Sequence, residues 1–315
     1  MSRINIGGQA VMEGVMMRND NRYAVAVRKP DHEIEVKVNQ CAGTEERPAI
    51  CNCPIVRGVF SFVQSLAIGV KTLMYSAQFF EDEEEETPKK EKKKTKEKTK
   101  EQIEKTEKAE MAGTVAFSIV IAIGLFMLLP AWIASLLDDM IKNHIVIGLI
   151  EGVIRLVIFL GYVIAISRME DIKRTYMYHG AEHKTINCLE HGHELTVENV
   201  MQASRFHKRC GTSFLFIVMI VSILVFMCIT VDTMWLRLLL RVLLVPVIAG
   251  ISYEFIRFAG NSESRIANLL SKPGLLIQRL TTKEPTEDMV EVAIASVEAV
   301  LDWRAYLDEQ AKCEK

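Results

Sequence analysis

Four apolar runs with few charges dominate the pattern of the chain, at residues 111–137, 145–166, 212–231 and 233–253. Each reaches about the 20 residues that a helix needs to cross the hydrocarbon of a bilayer. The first and third carry no Asp, Glu, Lys or Arg, the second contains Glu151 and Arg155, and the fourth contains Arg237 and Arg241. Pro130 and Pro246 fall inside runs, where membrane helices tolerate them. Ahead of the runs, residues 54–80 open on a proline, and Arg57, Ser61, Gln64, Ser65, Lys71, Thr72 and Ser76 recur near helical spacing. This predicts an amphipathic helix at the membrane interface or against other helices. Lys71 and Gln64 weigh against a fifth span. Residues 23–27 and 33–38 are β-branched or alternating around Lys29-Pro30-Asp31-His32, which predicts a β-hairpin.

The remaining segments are polar. Residues 5–18 are glycine-rich, with Gly7, Gly8 and Gly14 beside Glu13 and Arg18. They predict a tight turn feeding the first strand, or a backbone-lined site closing over a polar group. Residues 81–110 run from six consecutive acids into a lysine-rich block and have almost nothing to bury, so disorder or a solvated helix is expected. In the tail, Val290, Ala293, Ile294, Val297, Val300 and Leu301 form one stripe opposite Glu291, Glu298 and Asp302. A helix there is expected to pack on the N-terminal hairpin.

These elements predict a mainly α fold. It is a polytopic membrane bundle of about four spans with a small α+β cytosolic subdomain built from the N-terminal hairpin and the C-terminal helix. The segments are 1–53, the Gly-rich turn and hairpin; 54–80, the interfacial helix; 81–110, the charged insertion; 111–166, spans one and two; 167–211, a His/Cys-rich loop; 212–258, spans three and four; and 259–315, a soluble helical tail. Basic residues set the orientation. Arg168, Lys173, Arg174, Lys184, Arg205, Lys208 and Arg209 all fall between spans two and three. That loop and both termini are therefore expected in the cytosol, in a multi-pass protein of the plasma membrane. Glu151, Arg155, Arg237 and Arg241 are costly at membrane depth unless paired, and Glu151 and Arg241 are expected to face each other in the bundle.

Composition narrows the function classes. A net charge of −2 and the absence of zinc-finger or basic-helix patterns exclude a nucleic-acid partner. The seven cysteines are scattered and odd in number, which argues against a disulfide framework. No apolar signal core opens the chain, so its own later helices are expected to direct insertion.

The chemistry gathers in the loop between spans two and three, which holds five of the seven histidines: His179, His183, His191, His193 and His207. His179, Glu182 and His183 spell H-x-x-E-H, the spacing of an inverted zinc-peptidase motif. On a helix the two imidazoles share one face, as ligands of one metal must, and Glu182 lies between them as a base. A third ligand is required. Glu254 at the cytosolic end of the fourth span, His207 and Cys210 are the candidates, and zinc is the expected divalent metal. Cys51-x-Cys53 is too tight for a zinc knuckle. A thiol site using Cys188 or Cys210 with a histidine is the alternative chemistry.

The stretch Gly7-Gly-Gln-Ala-Val-Met-Glu-Gly-Val-Met-Met-Arg18, with His179-Gly-Ala-Glu-His-Lys184, Arg209-Cys-Gly-Thr-Ser213 and Thr281-Thr-Lys-Glu-Pro285, resembles the YqhQ-like bacterial membrane proteins, a family defined by a domain of unknown function. The resemblance covers nearly the whole chain outside residues 81–110. It implies a metal-dependent enzyme, a description that would carry onto His179, Glu182 and His183. The expected activity is thus a metal-dependent hydrolase acting at the lipid bilayer on a headgroup, peptide or protein. The rival readings are a scaffold or regulator that binds a membrane or cytosolic protein, and a transporter using the charges of spans two and four.

Overall fold

The structure is a computed structural model that describes residues 6–43, 51, 53–80, 113–137, 140–229, 231, 233–262 and 264–313. The charged segment 81–110 lies outside the described residues. The chain divides into two compact units.

The first unit is built on a four-stranded antiparallel sheet ordered β1 (Ile6–Val11), β2 (Gly14–Asn19), β3 (Arg22–Arg28) and β4 (Ile34–Gln40). The predicted hairpin corresponds to β3 and β4. Residues 5–18 were expected as a turn feeding the first strand or as a backbone-lined site, and from Ile6 onward the stretch forms two strands instead. Two-residue hairpin turns need positive φ, and Glu13 and Asp20 supply it at φ 47° and 48°. The sheet's alternation buries both faces. Val15, Met17 and Ala26 join one core, and Val11, Met16, Tyr23, Val25 and Val27 join another.

On the first face lie helices α4 (Glu170–Glu190) and α9 (Glu287–Glu298). Tyr178, Ala181 and Leu189 meet Met289, Val290, Ala293 and Val297 there. The Ser296 hydroxyl donates to the Ala24 carbonyl at 3.1 Å. The tail helix therefore does pack on the sheet. On the second face lies α1 (Val56–Ala77), with Ile68 in the core. Its Ser76 hydroxyl accepts from the Met12 amide at 3.1 Å, and Arg18 donates to the Gln64 side chain at 3.0 Å.

Among the described residues, four helices are long and apolar enough to cross a membrane: α1, α2 (Gly113–Ser135), α3 (His144–Ile166) and α7 (Met234–Asn261). Helix α6 (Gly211–Met227), expected as a full span over 212–231, has 17 residues, or roughly 25 Å. Helix α1, which lies on the sheet, also meets the length and composition of a span. Its polar residues do not interrupt it because they collect on one side of the helix. The region expected as a His/Cys-rich loop is mostly helix, being α4 with the short α5 (Val197–Gln202).

The second unit contains α2 and neighbouring parts of α3, α6 and α7. Within it Phe126 meets Tyr162 edge-on at 5.5 Å. Helix α3 approaches α6 so closely at Gly152 that a Cβ there would lie 2.6 Å from Ile223. Glu151 accepts from Arg155 at 2.7 Å and from Arg241 at 2.6 Å, and all three are buried. Arg155 also donates to the Ser222 hydroxyl at 3.2 Å. Arg237 lies apart and donates to the Val231 carbonyl at 2.9 Å. One carboxylate thus bridges two buried guanidiniums and offsets one of their two charges. Glu151→Leu should lower the stability of the purified protein by about 3–5 kcal/mol, because it strands both. Thermal melts should show a smaller loss when Arg241→Leu is added to it.

Candidate metal centre

The site is assembled on α4, which is buried without a break from Gly180 to Leu189. Its helical turn stacks His179 on His183, with ring centroids 4.4 Å apart. A glycine inside a helix weakens it, yet the fold requires one at Gly180. A Cβ at Gly180 would lie 2.0 Å from the Lys283 carbonyl oxygen. The glycine lets the Thr281-Thr-Lys-Glu-Pro285 segment lie directly on α4, where the Lys283 amide donates to the Tyr176 carbonyl at 2.9 Å.

That segment orients the first histidine. His179 Nδ1 donates to the Thr281 carbonyl at 2.9 Å. His183 Nδ1 does the same to the Arg205 carbonyl at 2.7 Å. A carbonyl can only accept, so both Nδ1 atoms carry the hydrogen, which fixes the tautomer and leaves each Nε2 for other partners. His179 Nε2 lies 3.2 Å from Cys210 Sγ. One ring nitrogen of each histidine and the Cys210 sulfur all fall within 4.8 Å of one another.

Cys210 sits immediately before α6. Its sulfur accepts from the Thr212 amide at 3.4 Å, so the positive end of the helix faces it. Burial opposes ionisation of this thiol, but His179 and His183 overcome that and hold it well below the ordinary thiol range. Burial likewise pulls the His179 imidazole down, and the Cys210 sulfur, then Glu182, raise it to about 9. Glu182 is also buried, with an oxygen 3.9 Å from His179 Nε2, and burial raises its carboxyl. Gly8 of β1 closes over it, since a Cβ there would lie 2.8 Å from the Glu182 side chain. Beside this group opens a cavity of about 710 Å³. Gln9, Arg18 and Arg209 contribute polar groups to its lining, and Phe62, Phe214 and Ile256 contribute apolar ones.

The other predicted ligands lie elsewhere. Glu254 forms an ion pair with Arg57 of α1 and is not among the convergent atoms. The cytosol-side position inferred for it on α7 brought it near the site, but the neighbouring arginine takes both its oxygens. His207 lies 5.8 Å from the His183 ring and places Nε2 3.2 Å from Glu190, which also pairs with Arg209. Cys188 faces the core, where burial pushes its thiol up to about 11. His191 and His193 are exposed beyond the end of α4.

Sequence reasoning missed Gln278 on α8 (Arg265–Thr281). Fully buried, it accepts from the His207 amide at 2.9 Å and donates to the His207 carbonyl at 2.7 Å and the Ser213 hydroxyl at 2.8 Å. Nothing local marks a single glutamine as a bracket for a loop about 70 residues earlier. Arg205 was missed as well, because its contribution is a main-chain carbonyl.

A family model described as "Protein of unknown function (DUF1385)" matches residues 53–303. The chain is also 34% identical over 313 residues to a protein of Bacillus subtilis (strain 168) described as "Uncharacterized protein YqhQ", covering 97% of this chain and 95% of that protein. The chain belongs to this YqhQ-like DUF1385 family. No solved structure matches it. The region matched by the family model contains α4, Cys210 and the 281–285 segment, while β1 and Gly8 lie ahead of it.

Gly180→Ala should displace the 281–285 segment and cost about 1–3 kcal/mol, the usual range for overpacking. Hydrogen exchange should show faster loss of protection at the Lys283 amide than at amides of the sheet. Equal behaviour of the variant and the parent would contradict this account of the contact.

Proposed function

We propose that this chain is a multi-pass protein of the plasma membrane whose cytosolic face carries a divalent-metal centre, with His179, His183 and Cys210 as ligands and Glu182 as the acid–base group of a hydrolytic reaction. The observation that carries the reading is the pair of Nδ1–carbonyl bonds, which leave His179 Nε2 against the Cys210 sulfur and a ring nitrogen of His183 within 4.8 Å of both. A histidine that ligates a metal commonly donates its second nitrogen to a carbonyl in this way. Tetrahedral zinc, with ligand bonds of about 2.0–2.3 Å, needs ligand atoms roughly 3.3–3.8 Å apart. The 3.2 Å from His179 Nε2 to Cys210 Sγ is close to that spacing.

Three protein ligands leave one position open, the pattern of catalytic rather than structural zinc. Bound zinc supplies Lewis-acid chemistry at that position. Glu182, with its carboxyl raised by burial, is suited to take up and return a proton. The adjoining cavity supplies room for a substrate with a polar end near Arg209 and an apolar part against Phe62 and Phe214.

Support for the membrane reading comes from four long apolar helices and from the apolar surface they leave uncovered, including Phe117, Val153, Val157 and Leu243. The buried, ion-paired Glu151–Arg155–Arg241 group suits helices in a medium where a charge needs a partner. The basic residues of the 167–211 segment favour a cytosolic location for it and for both termini.

Metal analysis of detergent-purified, untagged protein tests the centre. One equivalent of zinc is expected, retained in Glu182→Gln and lost in His179→Ala, His183→Ala and Cys210→Ser. Cobalt substitution should give thiolate-to-metal charge-transfer absorption that Cys210→Ser removes. Metal-free parent protein whose Cys210 is alkylated at the same rate with and without added zinc would sink the reading and favour a thiolate–imidazolium pair. A metal retained in all three ligand variants would sink it equally.

A further inference from the structure

Helix α8 has its amphipathic pattern turned inside out. The face packed inward is mostly small or polar, with Ala267, Ser271, Gly274, Gln278 and Thr281 buried beside one large apolar residue, Ile277. The face turned outward is large and apolar. Ile266, Leu269 and Leu276 are 67%, 62% and 57% exposed, and Pro273 and Leu280 continue the same stripe at spacings of three and four. A helix against water arranges these residue types the other way round. Along one edge of the stripe run Arg265, Lys272 and Arg279, each exposed and each seven residues from the next, so they form one line. No acidic residue occurs in the helix.

We propose that α8 lies in the cytosolic interface of the bilayer, with Ile266, Leu269, Pro273, Leu276 and Leu280 among the acyl chains and Arg265, Lys272 and Arg279 against anionic phospholipid headgroups. The occupant is argued from charge. An apolar stripe alone would fit several partners, but a cationic row along its edge fits a surface that is apolar inside and anionic at its rim. Position agrees, because α8 follows the long apolar α7 after a break of only three residues and begins at the Ser264 cap, which accepts from the Ala267 amide at 3.2 Å. This rests on the membrane reading above and adds a lipid-contacting element within the tail expected to be soluble.

The same helix holds the candidate centre. Gln278 brackets His207 and Ser213, and Thr281 supplies the carbonyl that orients His179. Lipid contact on the outer face therefore steadies the inner face, and with it the orientation of His179.

Photocrosslinking of the full chain in nanodiscs tests the proposal. A benzophenone amino acid is placed singly at Leu269 or Leu276, with Val153 and Leu243 of α3 and α7 as reference positions. The discs are phosphatidylcholine alone or an equal mixture with phosphatidylglycerol. Leu269 and Leu276 should crosslink to lipid, more strongly in the mixed discs. The triple variant Arg265→Gln, Lys272→Gln, Arg279→Gln should lose that preference, each basic residue contributing on the order of fivefold in anionic-lipid enrichment. If the reference positions label lipid and the α8 positions do not, α8 is covered by something else and the proposal falls alone. If none labels lipid, the membrane reading falls with it. Lipid labelling at α8 that is indifferent to phosphatidylglycerol in the parent overturns the headgroup part.

Discussion

Each of the two site imidazoles is held by a hydrogen bond from Nδ1 to a main-chain carbonyl, and most of the surrounding architecture serves to keep those two carbonyls in place. The Thr281 carbonyl is there because Gly180 admits the 281–285 segment onto α4 and because Gln278, one turn earlier, is locked to His207 and Ser213. The Arg205 carbonyl is there because its own guanidinium donates to the Thr282 carbonyl and meets Glu284, which also pairs with Lys184 of α4. The two supports are therefore braced against each other, and neither imidazole can turn without disturbing the other's segment.

The polar residues of α4 follow the same logic. A helix buried on all sides should be apolar, yet this one carries Glu182, His183, Lys184, Thr185 and Asn187 in succession. Burying such groups is tolerable only when each finds a partner. Lys184 donates to the Met201 and Ala203 carbonyls, and Asn187 to those of Ser204 and Phe206. Irregular backbone over residues 201–206 thus obtains from α4 side chains the hydrogen bonds that a regular element would make for itself. The density of polar residues that marks the stretch in the sequence reflects this bracing as much as any chemistry at His179.

Much of the scaffold was legible because it depends on local period. The β3–β4 alternation, the tail helix and the long apolar runs are readable within ten to twenty-five residues. The β1–β2 hairpin was not, since Gly7, Gly8 and Gly14 suggest turns, and only the covering α4 and α1 make strands of that stretch. The inward direction of α1's small residues was equally hidden, because polar spacing tells that a helix has two faces and not which of them the protein covers. At the site, the i, i+4 spacing of His179 and His183 is a local fact. Choosing Cys210 over Glu254 and His207 required knowing that Arg57 and Glu190 already hold the other two, and those pairings join distant parts of the chain.

The bond from His179 to Thr281 spans 102 residues, with α6, α7 and nearly all of α8 between its ends. A ribosome making roughly 5–20 residues per second takes about 5–20 s to cover that interval. Once Cys210 has been made, α4 is complete and His179 still lacks the acceptor that sets its tautomer. Synthesis order therefore makes the centre one of the last features this protein acquires, after its long helices have been made and shortly before the tail helix closes over the sheet.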